Sequence, residues 1–101
     1  MFHIYIIFSI SADKYYVGHS DDPLRRLIEH NSSLHNTYTS KYRPWVLKAY
    51  FPVSNDRGQA LIIEKYIKKQ KSKKFIELLI EHKDNPDRLA LLARVPRIDR
   101  D

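Results

Sequence analysis

The sequence predicts an α+β domain, and three observations carry that expectation. Two short apolar runs, His3–Phe8 and Tyr15–Gly18, are joined by the polar residues Ser11-Ala12-Asp13-Lys14, the pattern of a β-hairpin without an Asn-Gly to fix its turn type. Trp45, Leu47, Ala49 and Phe51 alternate with Val46, Lys48 and Tyr50, which predicts a third strand with one buried face. Apolar residues recur at helical spacing around Leu24–Ile28 and again across ALIIEKYIKKQ.

Along the hairpin, Ile4, Ile6 and Phe8 share one face, and His3, Tyr5 and Ile7 the other. An even number of loop residues puts Tyr5 and Tyr16 on the same side. One face is then apolar core, and the other carries two phenols and a histidine, either as a site wall or as cross-strand aromatic packing. Gly18 is one of only two glycines, so it marks a close approach to the backbone, a bulge or a strand exit.

Ser20-Asp21-Asp22-Pro23 supplies a helix start, with a Ser or Asp cap and proline in the first turn. Leu24, Leu27 and Ile28 are expected on its buried face, with Arg25, Arg26 and His30 on the remainder. Asn31–Pro44, Pro52–Asp56 and His82–Pro86 read as loops. The first of these holds His35, Tyr38, Lys41, Tyr42 and Arg43, a mixture of basic and aromatic residues that suits nucleic acid and equally suits solvent.

Ser54-Asn55-Asp56 offers caps for the next helix, whose apolar stripe is Ala60, Leu61, Ile63, Tyr66 and Ile67. Glu64 borders that stripe and therefore needs a partner, because an unpaired buried carboxylate is costly. Lys68, Arg57 or a metal ion would serve. Six lysines between Lys65 and Lys74 form either a solvated face or the border of a nucleic-acid track. Ser72 is expected to cap a helix with Phe75, Leu78 and Leu79 inward, and Asn85-Pro86 to start a last one carrying Leu89 and Leu92. The charged stretch from Arg94 to Asp101 is expected to fray.

A length of 101 residues fits one domain with a modest core. With no cysteine, disulfides, thiolate zinc sites and cysteine nucleophiles are excluded. Met1-Phe2-His3 lacks the basic start of a signal peptide, and no apolar run is long enough to cross a bilayer. The expectation is a cytoplasmic protein with no membrane partner. Eighteen Lys and Arg against twelve Asp and Glu give a net charge of +6, which suits a polyanion or simply solubility.

The hairpin and first helix resemble the GIY-YIG nuclease superfamily, named for tripeptides on two neighbouring strands. Here these read His3-Ile4-Tyr5 and Tyr16-Val17-Gly18. Arg26 lies eight residues beyond Gly18, where members carry an arginine, and His30 follows one turn later at a histidine found in many of them. Glu64 fits the family's glutamate on a later helix, and Ser40-Lys41 and Arg43-Pro44-Trp45 are similar to segments of short members. The match spans roughly residues 2–80 and looks closest to the short, stand-alone bacterial proteins. It implies a three-stranded antiparallel sheet flanked by helices, with residues 1–82 as the nuclease-like domain. Residues 83–101 would be a helical extension and charged tail of the same domain.

The resemblance also implies a chemistry. Glu64 would hold one divalent ion, Mg²⁺ or Mn²⁺, since such hard ions keep most of their waters and need few protein ligands. Arg26 would clamp phosphate oxygens. Tyr5 or Tyr16 would take the proton of the attacking water, helped by cations such as Arg26, His19 or Lys41. His30 would supply a hydrogen bond or proton. His19, Arg25, Lys41 and Arg43 would contact nucleic acid, and Gly18 would be structural. The implied activity is metal-dependent hydrolysis of DNA, structure-specific or repair-related, with a protein partner or homo-oligomer supplying further specificity. Three departures stand beside it: His3 replaces the first glycine, His19 stands where several members have lysine, and a late asparagine has no counterpart. These keep open a noncatalytic nucleic-acid-binding module, or a protein-interaction domain with a basic surface.

Overall fold

The computed structural model of the chain describes residues 1–32 and 38–96. At its centre is a three-stranded antiparallel sheet in the order β2-β1-β3, built from β1 (Phe2–Ser9), β2 (Lys14–Ser20) and β3 (Trp45–Ser54). Helix α1 (Pro23–Ser32) covers one face and is followed by a 3₁₀ turn, Tyr38–Tyr42. Helices α2 (Arg57–Lys69), α3 (Lys73–Glu81) and α4 (Pro86–Ala93) contribute to the core on the other. This is the α+β architecture the sequence implies.

Ser9 pairs with Lys14 at the end of the hairpin, leaving the even loop Ile10–Asp13. Tyr5 pairs with Gly18 and Ile7 with Tyr16, so both phenols project from one face. The opposite face supplies Ile4, Ile6 and Val17 to the main core, with Phe51 and Val53 of β3, Ala60, Ile63 and Ile67 of α2, and Leu79 of α3. Each fully buried side chain of this kind contributes about 1.5–3 kcal/mol. Leu89, Ala93 and Val95 join the same core, so the end of the described chain packs rather than frays as far as Val95. Arg94 adopts a left-handed conformation there (φ 60°) and sets its guanidinium over the Tyr66 ring. Residues 97–101 of the expected charged tail lie outside the described residues, as does His35.

Helix ends follow the expected caps. Asp22 accepts from the Arg25 amide at 3.1 Å, Asp56 from Gly58 at 3.0 Å, Ser72 from Phe75 at 3.0 Å and Asn85 from Arg88 at 3.2 Å.

Three expectations are corrected. First, β3 does not have one buried face. Ala49 pairs with Ile6 but Leu47 pairs with Ile7, which leaves Lys48 as the extra residue of a β-bulge. Trp45 and Leu47 therefore pack with Tyr5 and Ile7, while Ala49 and Phe51 enter the main core. Second, the strand runs to Ser54, so Pro52 is inside it. A second irregularity between Phe2 and His3 and the edge position of β3 accommodate a residue without an N–H. Third, Leu24 and Ile28 are 57% and 65% exposed. Helix α1 instead turns Pro23, Leu27 and His30 toward the sheet, because the polar His30 has hydrogen-bond partners there. Leu61, at 36% exposure, likewise stands outside the buried stripe of α2.

Candidate active site

The site is built around the edge strand β2. Tyr5 reaches outward from β1 beneath α1 and is almost fully buried. Its hydroxyl lies 2.8 Å from Nε2 of His30, and Nδ1 of His30 lies 2.8 Å from Oγ1 of Thr39. One ring nitrogen donates and the other accepts. Burial, reinforced by the nearby Arg26 cation, pushes the imidazole down to about 4. His30 is thus neutral at neutral pH and orients the phenol. Burial likewise pushes Tyr5 up to about 12, against a hydrogen bond from Arg26 that favours ionisation. Tyr5 keeps its proton.

Gly18 makes this arrangement possible. A Cβ placed there would sit 2.9 Å from Cε1 of Tyr5 and closer still to Cζ and the hydroxyl. Its φ is not positive and the hairpin pairing is regular at this point, so close approach rather than turn geometry is what requires glycine.

Helix α2 lies on the opposite side of the sheet from α1, yet Glu64 projects past the β2 edge into the same cleft. Its Oε1 lies 2.7 Å from Nδ1 of His19 and its Oε2 3.0 Å from Nζ of Lys68. Lys68 also stands 4.9 Å from the centre of the Tyr16 ring. The resulting cleft, about 450 Å³, is lined by Tyr5, Tyr16, Gly18, His19, Arg25, Arg26 and Glu64, with Asp21, Glu29 and Arg57 at its margins. Arg26 is paired with Glu29, and Arg25 with Asp21 at 3.0 Å.

Seven of the residues singled out in the sequence thus meet in one hollow, and His30 stands directly behind Tyr5. Lys41 and Arg43 do not line it. Lys41 is exposed on the 3₁₀ turn, and Nε of Arg43 donates to the His30 carbonyl at 2.6 Å, tying that turn to the end of α1. His3 faces Tyr50 at 5.8 Å instead of entering the cleft. Arg57, one of the partners considered for Glu64, lies over Phe2. Thr39, Glu29 and the pairing of His19 with Glu64 were not anticipated. The Arg26–Glu29 spacing of three is a signal that marks such a pair on a helix. The other two join residues from separate elements and leave no local trace.

The donor set bears on a metal. Among the described residues no cluster of three His, Asp or Glu side chains converges to hold one. Asp21 and Glu29 are engaged by arginines, which leaves Glu64 as the anchor on its wall of the cleft. A single carboxylate fits an ion that retains most of its water shell. Lys68, 43% exposed, has solvent into which it can swing from Oε2.

Fold and cleft define a small α+β domain whose site is lined by phenols, guanidinium groups and carboxylates, of which only Glu64 is not engaged by an arginine. Comparison with known families makes this specific: the chain belongs to the GIY-YIG catalytic domain family, whose model matches residues 1–76. It is similar to a UPF0213 protein of Listeria monocytogenes serovar 1/2a, 31% identical over 85 residues, covering 84% of this chain and 93% of that protein. A UPF0213 protein of L. monocytogenes serotype 4b is 30% identical over 83 residues (82% and 92%), and one of Listeria welshimeri 29% over 85 (84% and 93%). Family membership supports a nuclease-type function. Among the described residues no helix is long and apolar enough to cross a membrane.

Proposed function

We propose that the protein is a metal-dependent endonuclease that hydrolyses phosphodiester bonds of DNA. The observation that carries this reading is the convergence of Tyr5, Tyr16, Arg26 and Glu64 on one cleft from both sides of the sheet.

Glu64 would hold Mg²⁺ or Mn²⁺, which supplies positive charge against the phosphate and the leaving oxygen. The guanidinium of Arg26 offers paired donors to the non-bridging oxygens, exchanging Glu29 for phosphate. Tyr5, held protonated by burial, donates a hydrogen bond in the cleft and is aligned by His30. The task of orienting the attacking water and taking its proton falls to Tyr16, partly buried on the edge strand, with Lys68 against its ring. His19 fixes one oxygen of Glu64 and thereby its direction. Arg25 at the cleft margin, and Lys41 and Arg43 on the neighbouring turn, add attraction for the strand. A cytoplasmic location and a repair role accord with such an activity.

Nicking of branched, single-stranded and duplex DNA, with Mg²⁺ or Mn²⁺ and with chelator, tests the proposal. Wild-type protein is expected to cut at least one substrate only with metal, and Glu64→Ala and Arg26→Ala to lose that activity. Equal activity in all three proteins rejects it.

One observation favours a second reading. Both oxygens of Glu64 already have cationic or donor partners, as in a domain that binds nucleic acid without cutting it. That module would show salt-dependent DNA binding with no metal requirement and no cleavage.

A further inference from the structure

Beside the cleft, on the far side of Tyr16, lies a second hollow of about 240 Å³. Tyr15, Tyr16, Tyr38, Ile67, Lys68 and Lys71 bound it. We propose that this hollow is a subsite for one unpaired nucleobase of the strand whose phosphate enters the cleft, so that the protein selects single-stranded or locally unpaired nucleic acid. The proposal rests on the cleft being a phosphodiester site.

Four features support it. The two hollows share Tyr16 as a common wall, and Lys68, which lines the second, reaches Glu64 of the first with Nζ while standing over the Tyr16 ring. A strand held by its phosphate in one therefore has an adjoining base beside the other. Tyr38 presents a ring 53% exposed to solvent, stacked on Tyr16 at 6.4 Å and 30°. Edge-on packing against Tyr42 at 5.2 Å holds that ring in place. An ordered, half-exposed aromatic face above a lysine-bordered hollow is the arrangement on which bases stack without sequence preference.

Lys71 supplies the third feature. It makes no ion pair among the described residues, and its backbone is left-handed (φ 49°). A lysine gains nothing intrinsic from that conformation, which any side chain but glycine adopts at a cost. Here it places an exposed ammonium at the joint of α2 and α3, on the rim of the hollow. Size is the fourth. The hollow falls below the roughly 300–1,000 Å³ of pockets that enclose drug-sized molecules, so it suits one ring system rather than a stacked pair. A base paired within a duplex cannot enter without leaving its stack.

The test is equilibrium binding by fluorescence anisotropy in chelator, using the full chain with a labelled single-stranded DNA and the same sequence as a blunt duplex. Wild-type protein is expected to bind the single strand roughly tenfold or more tightly than the duplex. Tyr38→Leu should weaken single-strand binding by roughly 5- to 100-fold, the range that stacking on one aromatic ring provides, while leaving duplex binding unchanged. Tyr38→Trp, which keeps an aromatic face, should restore it and shows that the loss is not one of folding. Lys71→Gln should lower the salt dependence for the single strand by about one counterion. Equal affinity for both DNA forms, or failure of Tyr38→Trp to rescue, overturns the subsite, as does capture of a protein ligand at Tyr38 with no DNA preference. Binding in chelator needs no cleavage, so a protein that prefers the single strand yet never cuts it sinks the nuclease reading alone.

Discussion

The phenol of Tyr5 lies across the backbone of Gly18, its cross-strand partner, so closely that the glycine cannot carry a side chain. The ring is fixed from three sides: by the missing Cβ below, by His30 at its hydroxyl and by Trp45 and Ile7 around it. A residue of β1 is thereby delivered to the edge of β2, where the cleft opens.

Gly18→Ala should force Tyr5 or the strand to move. The expected loss is about 1–3 kcal/mol of stability, as for overpacking in a close-packed interior. Urea denaturation measures it. A variant as stable as wild type would show that the ring yields freely.

Tyr5→Phe and Tyr16→Phe should separate structure from chemistry. Removing the Tyr5 hydroxyl leaves the buried His30 nitrogen without its partner, at a cost of about 1–3 kcal/mol. Tyr16 is less buried, so Tyr16→Phe should change stability by less than about 1 kcal/mol while abolishing cleavage. Denaturation curves and nicking rates on the same preparations check both halves.

Stability should depend on pH through His30. Its folded value of about 4 lies below the ordinary 6.5, so above pH 6.5 the residue is neutral in both states and costs nothing. Between pH 6.5 and about 4 the unfolded chain takes up a proton that the folded one refuses, and stability falls as pH falls. Below about pH 4 both are protonated and the loss levels off, having reached on the order of 3 kcal/mol. Tyr5, Arg26, Glu29 and Arg43 surround the ring and remain in His30→Gln. The difference between wild-type and His30→Gln denaturation midpoints across this window therefore isolates the histidine; identical pH slopes would contradict the assignment.

Asn31 joins α1 to β3 by accepting from the Trp45 amide at 2.7 Å and donating to its carbonyl at 2.9 Å. Asn31→Ala leaves both groups to find other partners and should cost about 1–3 kcal/mol. Loss of protection at the Trp45 amide in hydrogen exchange would accompany it.

How much of this was legible in the sequence depended on whether the signal was local. The sequence leaves open the parity of the hairpin loop and whether Glu64 meets Lys68, Arg57 or a metal, but the caps at Asp56, Ser72 and Asn85 are set by neighbours within a turn, and they read correctly. The faces of β3 did not, because Lys48 in a bulge looks like any outward residue while reversing everything on one side of it. The buried side of α1, apart from Leu27, is hidden in the sequence for a related reason. Its best apolar residues, Leu24 and Ile28, are exposed, since a hydrogen bond between His30 and a tyrosine 25 residues away decides which side of the helix turns inward. Within the site, the tyrosines, arginine and glutamate followed from motif spacing. The contact of His19 with Glu64, spanning 45 residues, exists only once the chain has folded.

Arg26 and Glu64, carried by helices on opposite faces of the sheet, are proposed to act on one phosphate. Single-turnover cleavage rates of Arg26→Ala, Glu64→Ala and the double variant test this most directly. Residues that work as a unit are non-additive. Each single variant is expected to lose roughly a hundredfold or more, and the double variant to be no slower than the slower single one. Wild-type rates in either single variant, or losses that simply multiply in the double, would contradict it.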